Sequence, residues 1–401
     1  MLKHAHQTTP GFSSETFNSS IYSNYRRWRE ESPVFVTDEG YIYLTRYADC
    51  AELLGNADFT RRSTETAISP FSNEQRPACP LERMIDDWMV FTDPPRHTQL
   101  RTLFASYFST NAIRQLEPFI RKEASSLLIP ALEANESDLL HGFAFPLPVR
   151  VICQILGIPT ADISLFEGWA ATLTTILDSG TELCSKVASD TTESLNSYFS
   201  DLLNNAPCLP KSSLVRLLAE DKSVEHTSDT LVHSFAFLLW AGHETTKGAI
   251  ANGFKILAES PKEWLMLQQN PTRIPLAVEE ILRFESPLQK LSRWTQKDVR
   301  FGDYHIPANS MITALTGAAN RDPEIFEQAE TFLPRRKPNR HLAFGTGRHN
   351  CLGAALARME IRISLSVMLE QADTIELLDC HWRPLSAFRS LDYLQVKLNR
   401  S

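Results

Sequence analysis

Residues 228–259 limit what this chain can become more than any other segment. Apolar residues recur through it at helical spacing and no proline interrupts it, which predicts one helix over Ser228–Glu259. At 1.5 Å per residue such a helix spans roughly 48 Å, the width of a whole molecule of this size. Its run Phe235-Ala236-Phe237-Leu238-Leu239-Trp240 is apolar all round and requires burial. Yet the chain continues as Ala241-Gly242-His243-Glu244-Thr245-Thr246. Glycine costs a helix roughly 1 kcal/mol against alanine, and a buried carboxylate has to be paired or hydrated. Either this stretch turns a wet face to solvent, or the interior has a use for its polar groups.

The composition allows a large core. Of 401 residues, 43% are hydrophobic and 22% charged, which excludes a mostly disordered chain. Fifteen glycines and 23 prolines without a period exclude collagen-like and low-complexity architectures. Forty Lys+Arg against 48 Asp+Glu leave a net charge of −8, which argues against a broad nucleic-acid surface. Seven cysteines, at 50, 79, 153, 184, 208, 351 and 380, lack the spacings of zinc ribbons, covalent haem attachment or a disulfide scaffold. Scattered thiols suit a reducing cytosol. Residues 1–30 are polar and read as an N-terminal extension without a secretory signal. The apolar stretch near Phe235–Ala241 is far short of the ~20 residues that span a bilayer. A soluble, cytoplasmic protein without a membrane anchor is expected.

Pro33–Thr37 and Tyr41–Arg46, separated by Asp38-Glu39-Gly40, predict a hairpin. Helical periodicity then takes over, at Thr98–Phe108, Ala112–Leu128, Phe166–Leu177, Glu193–Asn204, Pro261–Gln269, Pro275–Phe284 and Ala354–Gln371. Further strands are expected over Val299–Ile306, Met311–Leu315 and Tyr393–Leu398. The fold class is mainly α with small β-sheets, one compact unit over residues 1–401.

The chemistry concentrates in Phe344-Gly345-Thr346-Gly347-Arg348-His349-Asn350-Cys351-Leu352-Gly353, just before the helix starting at Ala354. Glycines let the backbone turn tightly and approach something flat. A helix N-terminus favours an anion, so it stabilises a thiolate at Cys351. A thiolate without a second cysteine or a nearby base suits a single axial bond to a metal, as in haem-thiolate proteins. On its own, a loop cysteine is more often an incidental thiol.

This loop resembles the haem-binding loop of the cytochrome P-450 family. So do Ala241-Gly242-x-Glu244-Thr245 in the long helix and Glu280-x-x-Arg283 about seventy residues before the cysteine. Asp93-Pro94-Pro95-Arg96-His97-Thr98-Gln99-Leu100-Arg101, Ala318–Pro323 and Arg340–Gly345 extend the likeness from about residue 30 to the chain end. It is most similar to the soluble bacterial branch. The resemblance implies a single P-450 domain with the long helix over haem b, and dioxygen as co-substrate. Cys351 is the implied iron ligand, its sulfur accepting backbone N–H bonds, with Phe344, Gly345 and Gly353 shaping its loop. His97, Arg101, Arg293 and His349 are the implied propionate partners. Ala241 leaves room over the haem, Thr245 hydrogen-bonds bound dioxygen and Glu244 relays protons to it. Glu280 and Arg283, with Arg336 from a later irregular segment, form a structural network. Leu333 follows Phe332 where the family often places an acid, which puts the local form of that network in question.

No dinucleotide fingerprint or ferredoxin cysteine cluster is present. The implied electron source is therefore a ferredoxin or flavodoxin with its reductase, docking near Arg96, Arg101, Arg348 and Arg358. By family position the substrate pocket takes Ile85, Trp88, Met89 and Val90 from a segment that also holds Phe71 and Met84. The long helix gives Phe237 and Leu238; Leu288, Lys290, Leu291 and Phe388 come from later segments, and Leu173 and Leu177 from a lid. Lys290 or Arg389, if inward, can hold a carboxylate or phenolate. The implied reaction is hydroxylation or epoxidation of a small, mostly apolar substrate in secondary metabolism. The alternatives are phenol or aryl coupling or desaturation by the same oxidant, a haem-based sensor or carrier, and a helical protein without haem.

Overall fold

The computed structural model describes residues 20–37, 40–62, 78–134, 136–179, 183–221, 226–384 and 387–400. Helices α1 (Ile21–Glu31), α2 (Tyr47–Gly55), α3 (Pro80–Asp86) and α4 (Arg96–Ala105) come first. They are followed by α5 (Thr110–Arg114), α6 (Glu117–Glu133), α7 (Pro146–Leu156), α8 (Ile163–Ser179) and α9 (Lys186–Asn204). Then come α10 (Leu214–Glu220), α11 (Ser228–Ala258), α12 (Pro261–Gln269), α13 (Ile274–Phe284), α14 (Thr316–Ala319) and α15 (Ala354–Gln371). Strands β1 (Val34–Val36) and β2 (Ile42–Leu44) are the expected hairpin, paired Val34 to Leu44. With β3 (Phe59–Thr60) they join a later pair, β5 (Lys290–Thr295) and β8 (Met311–Leu315), in the order β1-β2-β8-β5-β3. Strand β4 (Ser137–Asp138) lies beside β10 (Leu391–Asn399) and β9 (Thr374–Trp382). Strands β6 (Val299–Phe301) and β7 (Tyr304–Ile306) form a separate hairpin.

Three expectations change. The polar extension at 1–30 is, from Ile21 onward, helix α1, whose Ile21, Tyr25 and Trp28 are buried. Their spacing of four and three puts them on one stripe, which overall polarity conceals. The single helix expected over 112–128 is two, because Pro118 lacks an N–H and starts α6 afresh. Helix α7, opening Pro146-Leu147-Pro148, goes unread because prolines look like breakers, though the first turn has no use for their N–H.

The cysteines also hold a surprise. Cys79 and Cys184 form a disulfide across 105 residues, with Cα atoms 5.6 Å apart, and the other five are free thiols. Pairing depends on which Cα atoms the fold brings together, not on sequence spacing. Among the described residues no helix is long and apolar enough to cross a membrane.

Helix α11 runs through the main core against α7, α8, α9, α13 and α15. His243, Glu244, Thr246 and Lys247 are all buried on it, so the wet-face alternative is excluded. The two charged groups among them answer each other. The Lys247 ammonium donates to both Glu244 oxygens at 2.7 Å.

A second buried carboxylate props the region around the cysteine loop. Glu280 on α13 is fully buried and takes the Arg283 guanidinium at 2.7 and 2.8 Å. Arg336 Nε donates to both its oxygens, at 3.1 and 3.0 Å, and Asn339 donates at 3.0 Å. The backbone N–H of Leu333 donates at 2.9 Å. Leu333 in place of an acid leaves the donors around Glu280 intact, because the donor at that position is the main-chain N–H. Arg283 also donates to the carbonyls of Asn320, Ala329 and Thr331. Breaking such a buried pair leaves an uncompensated charge. Glu280→Ala should cost about 3–5 kcal/mol of stability, read as a lower urea midpoint by circular dichroism. A midpoint equal to wild type would remove the network from this role.

Candidate functional site

Two glycines with left-handed backbone shape the cysteine loop. Gly345 has φ +64° and Gly347 φ +71°, a region L side chains rarely adopt. A Cβ on Gly347 would also lie 2.8 Å from the Leu54 carbonyl and 2.9 Å from Gly55 Cα. The loop closes on itself through Cys351 N–H to the Phe344 carbonyl at 2.9 Å and Gly345 N–H to the Leu342 carbonyl at 2.9 Å. Arg101 donates to the Asn350 carbonyl at 2.9 Å, fixing the segment just before the cysteine. The Arg358 guanidinium lies 4.4 Å over the Phe344 ring.

The Cys351 sulfur opens onto an interior cavity of about 600 Å³, walled on the far side by α11. Its accessible surface faces that cavity, which is why it is exposed while enclosed by the fold. Burial raises the thiol's pKa and outweighs the Gly353 N–H, Arg101 and Arg358, which act to lower it. The N–H that reaches the sulfur thus comes from the backbone two residues beyond the cysteine.

His97, Arg101, Arg293 and His349 line the same cavity. The two imidazoles lie 4.1 Å apart, centroid to centroid, and both Nε2 atoms are buried without a partner. Burial and nearby arginines push His97 down to about 4 and His349 down to about 2. Burial, then Arg61, pushes Arg293 down to about 9. Arg61, which sequence reasoning missed, joins this group; burial lowers it to about 10. Asp93 does not neutralise the cluster by direct ion pairing. Its oxygens accept the backbone N–H groups of Arg61 and Arg62 at 2.9–3.1 Å. Buried cations and orphan imidazoles without matching anions fit a group that brings its own carboxylates. Together with a thiol facing the cavity, they fit haem and its propionates.

On α11, Thr245 donates to the Ala241 carbonyl at 3.3 Å and lines the cavity with Ala241 and Gly242. Glu244 does too, but its carboxylate is engaged. Besides Lys247 it accepts from Thr174 at 3.3 Å and lies 3.8 Å from Arg383, which is 33% exposed. Burial alone would raise its pKa; Lys247 and His243 outweigh that and hold it low. His243 itself is wholly buried, held neutral at about 3 by burial, and packs edge-on to Phe145 at 4.5 Å.

Of the expected substrate residues, Met89, Val90, Leu177, Phe237, Leu238, Leu288, Lys290, Leu291 and Phe388 line the cavity. Ile85, Trp88, Leu173 and Met84 do not; they are core, and Trp88 stacks behind the wall on Trp240 at 5.2 Å. Phe71 lies outside the described residues. Arg389 is turned away, bonded to Glu285 at 3.2 Å and stacked on Trp382 at 3.6 Å. The expected basic patch is also thinner than the sequence suggests. Arg358 is bonded to both oxygens of Glu279, and Arg96 donates to Thr230.

Sequence reasoning missed Phe91, Phe108, Trp240, Met311 and Glu360 in the wall. Trp240 sits within the apolar run that signals α11 and could have been found there. Glu360 carries no such signal. It is buried on α15, its Oε2 has no partner, and burial alone raises its pKa well above normal.

The cytochrome P450 family model matches residues 149–374. The chain belongs to the cytochrome P450 family. It is 32% identical to the biotin biosynthesis cytochrome P450 of Bacillus subtilis (strain 168), over 96% of this chain and 97% of that one. It is 34% identical to mycinamicin IV hydroxylase/epoxidase of Micromonospora griseorubida, over 83% of this chain and 82% of the relative. Among solved structures, P450BioI in complex with an acyl carrier protein ligated to hexadec-9Z-enoic acid superposes with a TM-score of 0.89. That match has 31% identity and covers 97% of this chain and all of the other. The chain is thus a P450 monooxygenase, an oxidoreductase of a haem- and dioxygen-using family whose members use redox partners and whose relatives serve biosynthesis.

Glu360 yields a pH test. Its raised pKa makes the protonated form native, so stability is full at acid pH and falls as pH rises above the unfolded carboxyl range near 4.3. Glu360→Gln removes the penalty and should raise the melting temperature at pH 8 by about 2 °C or more, with less effect at pH 5. Melting followed by circular dichroism checks it, and equal shifts at both pH values would refute the assignment.

Proposed function

We propose that this P450 binds haem b through Cys351 and inserts one atom of dioxygen into a small, mostly apolar organic substrate. The outcome is hydroxylation or epoxidation, in secondary metabolism. Two electrons come from a ferredoxin or flavodoxin with its reductase, in the cytoplasm, and the chain acts as one domain. The observation that carries the cofactor reading is the uncompensated His97–Arg101–Arg293–His349 cluster beside the Cys351 sulfur. When bound, haem supplies the iron at which dioxygen is activated.

The residues divide the remaining work. Cys351 is the ligand atom, and Gly353 N–H tempers its charge. Gly345 and Gly347 hold the loop flat, and Phe344 closes the cavity floor. Ala241 and Gly242 leave room beside α11; a Cβ on Gly242 would meet only Ile152, at ordinary contact. Thr245 holds a hydroxyl at the cavity wall and can pass a proton from it. Glu244 reaches towards solvent through Arg383, so a Glu244 that exchanges its Lys247 contact for water can take a proton from the solvent side and release it towards Thr245. Glu280, Arg283 and Arg336 stay structural. Phe91, Phe237, Trp240 and Phe388 make most of the wall apolar, which favours an apolar body with few polar anchors. Among the cations expected for a substrate acid, Lys290 lines the wall and Arg389 does not.

Three measurements test the reading. Cys351→Ala should abolish the red-shifted Soret band of the ferrous carbon monoxide complex; a variant that keeps it refutes the ligand. A compound that shifts the haem spin state should leave as product heavier by one oxygen atom. Loss of two hydrogens instead would favour coupling or desaturation. Thr245→Ala should bind the same compound with unchanged affinity but divert most reducing equivalents to hydrogen peroxide, assayed against reductant consumed. Unchanged coupling would remove Thr245 from proton delivery.

A further inference from the structure

The disulfide lies outside the haem site, yet each of its ends leads to the cavity wall. Cys79 immediately precedes α3, and its backbone N–H donates to Glu82 at 3.0 Å. The chain after α3 carries Met89 and Val90 into the wall. Cys184 follows α8, which carries Leu177, and lies two residues before α9. Helices α3 and α9 pack together, so the two wall segments meet at this pair. Cys79 is half-buried, whereas Cys184 is exposed and open to a small reagent.

We propose that Cys79 and Cys184 form a reversible oxidation site that sets how fast ligands exchange with the cavity. The oxidant is a small-molecule disulfide of the glutathione class. The Cys184 thiolate attacks it, giving a mixed disulfide and releasing one small thiol. Cys79 then attacks the Cys184 sulfur, forming the protein disulfide and releasing the second. Two protein thiols are oxidised, one small disulfide is reduced to two thiols, and the two protons pass to those products. The bond joins positions 105 apart in the sequence. Closing it removes conformations in which the segments part, and with them the openings a ligand uses. Reduction restores those conformations without touching any residue that lines the cavity. This inference rests on the cavity being the ligand chamber of the proposed function.

The test uses haem-loaded protein equilibrated with either oxidised glutathione or a phosphine reductant. After denaturation and alkylation, intact mass should show two fewer modified cysteines in the oxidised sample, with a Cys79–Cys184 cross-linked peptide on digestion. Stopped-flow mixing with phenylimidazole, followed at the Soret band, should show association and dissociation several-fold slower when oxidised. Cys184→Ser should exchange at the fast rate in both conditions, with unchanged haem content. Equal alkylation in both samples, or equal exchange rates, overturns the proposal. So does protection of both thiols by zinc, since Cys79, Glu82 and Cys184 present ligand atoms within 4.8 Å of one another. Should phenylimidazole give no Soret shift at all, the cavity reading fails and so does its control by this pair, while the alkylation count still reports whether the cysteines join.

Discussion

A densely packed protein has to spend structure on keeping a space open, and that requirement organises this chain. Protein interiors close up to crystal-like density when nothing resists. Here α11 stands across from the Cys351 loop with about 600 Å³ between them. The loop cannot sag into the gap, because Gly347 is pressed against Leu54 and Gly55 and Arg101 grips the Asn350 carbonyl. The helix cannot drift either. Asn252 ties it to the carbonyls of Glu285 and Arg389, and its apolar sides are sunk in the main core.

Two buried electrostatic groups serve that space in opposite ways. Around Glu280 every lone pair in reach is used, by Arg283, Arg336, Asn339 and a backbone N–H. Such a cluster is finished when the chain folds. Around His97 and His349 the accounts stay open, with two imidazole Nε2 atoms unpartnered and arginine pKa values driven down by burial and, at Arg293, by neighbouring Arg61. A protein that folds with positive charge unanswered at one edge of a void is prepared for an anionic guest there. Glu244 belongs to the first kind in its bonding and to the second in its position. It is fully paired, yet it borders the cavity and has a half-open arginine at its back.

Much of this is legible in the sequence. Helix α12 and helix α15 start and stop where periodicity places them, because their ends coincide with Pro261 and with the turn at Gly353. The family likeness singled out Cys351, His97, Arg101, Arg293 and His349, and the fold brings all five to one cavity. The pocket wall could not be read so fully. An apolar residue on α3 satisfies the core and a cavity equally well, and Ile85, Trp88 and Leu173 proved to be core. The Cys79–Cys184 pair was invisible for another reason. It depends on how the α8–α9 hairpin meets α3, which no local pattern encodes. Arg61 and Glu360 sit in segments whose local signals describe only a strand end and a helix face.

The contact from the Leu333 main chain to Glu280 bears on how such a fold can diverge. Every residue except proline presents the same amide N–H, so that position is released from selection for any particular side chain. The chain can drift there while the carboxylate keeps its full set of donors. A consensus drawn from side chains alone would miss this donor, which belongs to the one part of the residue that mutation leaves alone.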